Sequence, residues 1–276
     1  MDPHQARPAT PAAMFASLWH NRQLILQMTQ RDIASRYRGS LIGLAWSFIN
    51  PLLMLVVYTF VFSVVFKARW DVGGNESKAD FAILLFAGMI VFGLFAESVN
   101  RAPGLIVSNV NYVKKVVFPL EILPLVSLGS VFFHSLVSLV VLLLMQIVVN
   151  HSLPWTSVFF PLVLLPLILA SMGVTWFLAA LGVYVRDVGQ ITSVFTTVLM
   201  FLSAVFYPVS ALPENAQIWL QLNPLVLIIT ESRKVLIFGS LPDWLSLGIA
   251  LLAGLGMAVA GFWSFQKMRR GFADVI

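Results

Sequence analysis

ILPLVSLGSVFFHSLVSLVVLLLMQIVVNHSLPWTSVFFPLVLLPLILASMGVTWFLAALGVYV, residues Ile122 to Val185, is a run of 64 residues without one Asp, Glu, Lys or Arg. Soluble chains are about 25% charged, whereas this chain is 11% charged and 59% hydrophobic. Its mean hydropathy is +0.90. Water is not the solvent for most of it. One crossing of a bilayer core of about 30 Å takes only ~20 helical residues, so the run has to fold back on itself. The polar cluster Asn150-His151-Ser152-Leu153-Pro154 marks the turn.

Four further charge-poor segments, 39–66, 81–96, 188–213 and 244–266, accompany it. Together they predict an all-α integral membrane protein of six transmembrane helices, at 45–67, 80–100, 122–149, 157–184, 188–207 and 244–266. Only helices fit, because in lipid each segment must satisfy its own backbone hydrogen bonds. Lys and Arg collect in alternate loops: Arg22, Arg31, Arg36 and Arg38, then Arg101, Lys114 and Lys115, then Lys267, Arg269 and Arg270. The loop after the first span instead balances Lys67, Arg69 and Lys78 with Asp71, Glu76 and Asp80. This asymmetry places both termini in the cytoplasm. It also accounts for the net charge of +5 without nucleic acid.

Three parts follow: a disordered cytosolic tail at 1–14, a surface helix at 15–38 and a transmembrane domain at 39–276. In the second part Leu18, Trp19, Ile25, Leu26, Ile33 and Tyr37 share one helical face, interrupted by Arg22, Thr29 and Arg36. This is the pattern of an amphipathic helix lying at the headgroups. The connection from Tyr207 to Asp243 is too apolar for a solvated loop, and Pro208, Pro213 and Pro224 cut it into pieces too short to cross. Two re-entrant helices are expected there, a conformation tolerated only where protein or a watery cavity shelters it.

The sequence offers no catalytic set. It has no cysteine, hence no thiolate chemistry, and no phosphate-binding G-x-x-x-x-G-K-[ST] loop. His4, His20, His134 and His151 lack metal-ligand spacing. His134, deep in a span, reads as a hydrogen-bonded structural residue. With so few ionisable groups in the spans, ion-coupled transport is disfavoured, and energy for uphill movement has to come from outside the chain. Ala250, Gly254 and Ala258 are small residues at four-residue spacing, which admits close helix approach. Tyr58, Phe62 and Phe66 recur along the first span above Trp46, and Phe195, Phe201, Phe206 and Tyr207 mark the fifth. A lipid-facing aromatic belt explains these residues; so does a path on which sugar rings stack.

Several local patterns occur in order from about residue 15 onward. They are Arg31-Asp32, Arg36-Tyr37-Arg38-Gly39-Ser40-Leu41-Ile42-Gly43, Trp46 and Asn50-Pro51-Leu52. Lys114-Lys115 follow, with Phe118-Pro119-Leu120-Glu121-Ile122-Leu123-Pro124, then Arg186-Asp187-Val188, and Asn223-Pro224 before Glu231-Ser232-Arg233. The series resembles the permeases of ABC exporters for lipid-linked polysaccharides, the Wzm type of the ABC-2 class.

The resemblance implies a homodimer with the export path at its interface, in a bacterial inner membrane. It also implies two copies of a separate cytosolic ABC ATPase (Wzt-like), which bind ATP and Mg; this chain carries no cofactor. Asn111, Tyr112, Val113, Lys114, Lys115 and Phe118 then belong to a coupling helix that docks on the ATPase. Arg31, Arg36, Tyr37 and Arg38 lie near the pyrophosphate of an undecaprenyl-linked glycan. Trp46, Tyr58, Phe62, Phe66, Phe201, Phe206 and Tyr207 line the translocation path, and Pro208, Pro213, Trp219 and Pro224 belong to periplasmic gate helices. The implied cargo is O-antigen, with capsule or teichoic acid as the nearest alternatives and an ion-coupled carrier or flippase as the alternative class.

Overall fold

The computed structural model describes residues 10–61, 78–114 and 118–276, and every regular element among them is helical. The N-terminal segment forms two helices where one was expected, α1 (Pro11–His20) and α2 (Arg22–Arg36). Thr10 caps α1 by accepting from the Ala13 amide, with Pro11 at the first helical position. The break is at Asn21, whose side-chain amide donates to the Ser17 carbonyl. Local bonds of this kind compete with the helix ladder and favour interruption. Four residues of the expected tail, Pro11 to Met14, join α1, and Met14 is buried.

The bundle follows as α3 (Trp46–Tyr58), α4 (Lys78–Arg101), α5 (Val110–Lys114), α6 (Leu123–Asn150), α7 (Phe160–Tyr184), α8 (Val188–Phe201), α9 (Glu214–Gln221), α10 (Pro224–Arg233), α11 (Trp244–Met268) and α12 (Phe272–Val275). Five helical stretches among the described residues are long and apolar enough to cross a membrane: Gly43–Val61, Ala79–Gly104, Leu120–Asn150, Trp155–Tyr184 and Trp244–Gly271. They coincide with the expected first, second, third, fourth and sixth spans. The charge-free run turns back after Asn150, where His151 takes a left-handed conformation at φ 51°. The fifth expected span differs. Only Val188–Phe201 is helical, 14 residues, or ~21 Å at the rise of an α-helix. The chain turns at 202–207 because the carbonyls there find side-chain donors instead of the next helical turn: Asn223 binds Leu202, and Arg233 binds Ala204 and Val205.

α4 lies at the centre, with 72% of its apolar window buried, against 11% for the window that contains α3. α7 and α11 pack with their backbones in contact. A Cβ on Gly261 would lie 2.0 Å from the Gly173 carbonyl oxygen, and one on Gly254 would lie 2.6 Å from that of Pro166. Ala258, between them, is fully buried. The small-residue stripe is thus a helix contact, as its spacing predicts.

At the end of the bundle where α1 meets the end of α11, the Glu121 carboxylate is buried and accepts from Ser17 Oγ (3.0 Å) and Arg269 Nη1 (2.7 Å). Its backbone carbonyl accepts from Trp176 Nε1, and Arg269 Nη2 reaches the Phe118 carbonyl. Four distant parts of the chain therefore meet at one acid. Two outcomes follow from this packing. Gly261→Ala forces α7 and α11 apart and should destabilise the protein by about 1–3 kcal/mol, read as a lower thermal midpoint in detergent. Glu121→Gln removes the negative charge that faces the largely buried Arg269 guanidinium; a loss of about 3 kcal/mol is expected in the same assay.

Candidate functional site

α2 brings Arg36 beside Glu97 of α4, and the two form an ion pair. One turn earlier Asp32 accepts from Arg101 Nη2 at 2.9 Å. Tyr37, at the end of α2, places its hydroxyl 3.3 Å from His134 Nδ1 on α6. Arg36, Glu97, Tyr37 and His134 form the polar end of a cavity of about 290 Å³, behind which the pair of Asp32 and Arg101 lies outside the lining. Ser47 and Asn50 on α3 line the cavity further along, and Tyr58 and Phe86 of α4 line its opposite end. Ser47 and Tyr58 stand about 16 Å apart along α3. The cavity therefore runs lengthwise between α3, α4 and α6, polar at one end and aromatic at the other. A guanidinium at one end and aromatic rings at the other are the groups that pair with an anion and with an apolar or sugar surface, respectively.

The aromatic residues assigned to a path divide into groups. Tyr58 and Phe206 pack on one buried patch of α4 made by Phe81, Leu84 and Leu85. Phe201 and Phe206 have ring centroids 5.5 Å apart, and the Tyr207 hydroxyl donates to the Phe201 carbonyl. Trp46 starts α3, away from these rings and outside the cavity lining. Phe62 and Phe66 lie outside the described residues. Beyond the turn, Pro208 precedes a short 3₁₀ turn at Val209–Ala211, and Pro213 precedes α9. Trp219 on α9 is 73% exposed. Pro224 opens α10 and borders a second, apolar cavity of about 540 Å³ among α4, α7, α8, α10 and α11.

The segment assigned to coupling forms α5. Tyr112 stacks on Phe118 with centroids 4.4 Å apart, and its hydroxyl accepts from Arg31 Nη2 at 3.0 Å. Arg31 and Tyr112 are 81 residues apart in sequence, so the N-terminal helices and α5 form one surface. Asn111 and Val113 belong to the same short helix, Lys114 ends it, and Lys115 lies outside the described residues. Arg38 is exposed in the turn after α2.

Sequence reasoning had not assigned the residues that hold these groups in place. Glu121 and Glu97 were legible only as acids at the edges of apolar runs. Glu231 and Arg233 were legible only as part of the Glu231-Ser232-Arg233 pattern, with no role assigned, yet both are buried. Glu231 accepts from Lys234 Nζ (2.7 Å) and the Asp243 amide (2.9 Å), which ties α10 to the start of α11. An acid and a base two residues apart in an otherwise apolar segment are the one signal that marks them.

Residues 23–237 match the ABC-2 type transporter family. Over 265 residues the chain is 29% identical to the O-antigen export system permease protein RfbA of Myxococcus xanthus, covering 94% of this chain and 97% of that one. It is 25% identical over 255 residues to RfbA of Klebsiella pneumoniae, covering 92% and 95%. The polysialic acid transport protein KpsM of Escherichia coli is 23% identical over 228 residues, covering 80% and 82%. With the family match extending over most of its length, from α2 to the segment after α10, the chain belongs to the ABC-2 type transporter family.

Proposed function

We propose that the chain is the membrane-spanning permease subunit of an ATP-driven exporter of undecaprenyl-pyrophosphate-linked polysaccharide, with O-antigen as its cargo. The observation that carries this reading is near full-length similarity to two O-antigen export permeases, 92–94% of the chain. The polysialic acid transport protein matches less of it, 80%. The cavity supports the same reading, since its polar and aromatic ends suit the two parts of a lipid-linked glycan. Two copies assemble around the path, each served by a cytosolic ATPase that binds ATP and Mg. The exposed residues Phe48, Leu52 and Val56 of α3, with Phe60 just beyond it, support a second copy there. Both termini face the cytoplasm in the inner membrane, as the Lys and Arg bias favours, and α9 and α10 act as gate helices at the opposite face.

In this arrangement the glycan pyrophosphate enters beside α2. A phosphate oxygen takes the place of Glu97 opposite Arg36, because guanidinium binds phosphate in the same forked geometry as carboxylate. The sugar chain then moves along the cavity toward Tyr58, Phe206 and Tyr207. Motion of the ATPase against α5 reaches α2 through the bond from Arg31 to Tyr112.

Co-purification with a candidate cytosolic ABC ATPase, followed by its hydrolysis rate with and without lipid-linked glycan, tests the whole reading. Stimulation by glycan is expected; an ion gradient that drives export with the permease alone would refute it. Arg36→Ala removes one charged bond to pyrophosphate. It should raise the glycan concentration for half-maximal stimulation about tenfold, with little change in the basal rate. Lys114→Glu combined with Lys115→Glu should abolish ATPase binding in pull-down while membrane insertion persists. Normal export by that double variant would reject α5 as the docking element.

A further inference from the structure

Arg233, the last residue of α10, is 4% exposed. Each side of its guanidinium donates to a main-chain carbonyl: Nε to Leu84 (2.9 Å), Nη1 to Ala204 (2.9 Å) and Nη2 to Val205 (2.7 Å). Leu84 belongs to α4, and the other two acceptors to the turn after α8. One side chain therefore grips that turn and fastens it to the central helix. Gly88, one turn further along α4, leaves the space for it. A Cβ there would lie 2.5 Å from Arg233 Nη2. Ala204 has φ 52°, a left-handed backbone that a residue with a Cβ adopts at a cost. Such strain persists where the surroundings over-determine it, and here the Ala204 carbonyl is held by Nη1.

The grip lies at the aromatic end of the elongated cavity. Leu84 offers its carbonyl to Arg233, and its side chain belongs to the buried patch on which Tyr58 and Phe206 both pack. Phe206 directly follows Val205, whose carbonyl Arg233 holds. The guanidinium thus sets where the Phe206 ring lies on the patch that Tyr58 shares. A planar fork of five donors reaches three carbonyls in different directions, which a lysine ammonium on a single stem does not reproduce.

We propose that Arg233 is the positioning residue of a constriction at the aromatic end of the cavity: it holds the 204–205 turn on α4, keeps Phe206 on the patch where Tyr58 also packs, and so keeps that end shut at rest. Gly88 is glycine because the guanidinium occupies the space of a side chain. The proposal rests on the exporter reading for its assignment of this cavity to the translocation path, and adds the residue that closes it.

The test uses the purified full-length permease in liposomes loaded with radiolabelled sucrose, without ATPase or glycan. Arg233→Lys and Gly88→Ala should each raise passive sucrose leak about tenfold over wild type, the scale of losing one hydrogen bond from a charged donor. Their thermal midpoints should fall by less than that of Glu121→Gln, because the helices around the site stay in place. Phe206→Ala should leak to a similar extent. When Arg233→Lys and Gly88→Ala are combined the two effects should not add, because lysine lacks the nitrogen that the new methyl group would meet. A lowered midpoint with wild-type leak makes Arg233 a purely structural residue and overturns the proposal. Failure of both variants to insert and fold does the same. Because the leak needs neither glycan nor ATP, a leaky variant of a protein that exports no polysaccharide would uphold the constriction and reject the exporter reading. Wild-type leak in variants of a working exporter would reject the constriction alone.

Discussion

A carboxylate or guanidinium removed from water costs several kcal/mol unless fixed partners supply its hydrogen bonds. In a chain with so little charge, that requirement determines where the bundle is pinned. Apolar helix faces in hydrocarbon gain little from choosing one neighbour over another, since lipid tails are equally apolar. Glu121 and Arg233 have no such freedom. Glu121 draws Ser17 and Arg269 to its carboxylate and Trp176 to its carbonyl, and Arg269 reaches on to Phe118, at the end where α1 meets the end of α11. At the other end, Arg233 draws α4 and the turn after α8 to α10. The two groups orient the elements between them.

Between those fixed ends the packing is of another kind. α7 and α11 touch through glycine and carbonyl atoms, a contact rigid along its length. α3 is the opposite case, almost bare within the subunit. It forms one wall of the cavity that runs from Arg36 and Glu97 to Tyr58. A cavity walled on one side by a loosely held helix and on the other by the central α4 is able to widen without disturbing the core. The proposed passage of a bulky polymer requires this freedom, and the proposed second copy would cover the face that α3 exposes.

Legibility in the sequence followed the physics of each signal. The turn at Asn150–Pro154 was clear because polar residues inside a charge-free run have no other reason to be there. The stripe of Ala250, Gly254 and Ala258 was clear because helical spacing alone puts small residues on one face. The break at Asn21 was not, since one asparagine in an amphipathic pattern looks like any other polar position. The early end of α8 was equally hidden: residues 202–207 are as apolar as a span, and they leave the helix because donors from Asn223 and Arg233, 20 to 30 residues away, satisfy their carbonyls.

Hydropathy and charge placement, which depend on local composition and the thickness of a bilayer, determined by themselves that this is a helical membrane protein whose basic residues gather in alternate loops. The folded chain alone decided which charges meet. Arg31 with Tyr112, Arg36 with Glu97, Ser17 and Arg269 with Glu121, and Arg233 with the carbonyls of two other elements are all pairings between distant segments. Such pairings arise from the register in which helices pack, and that register is a property of the whole bundle that no single stretch of sequence encodes.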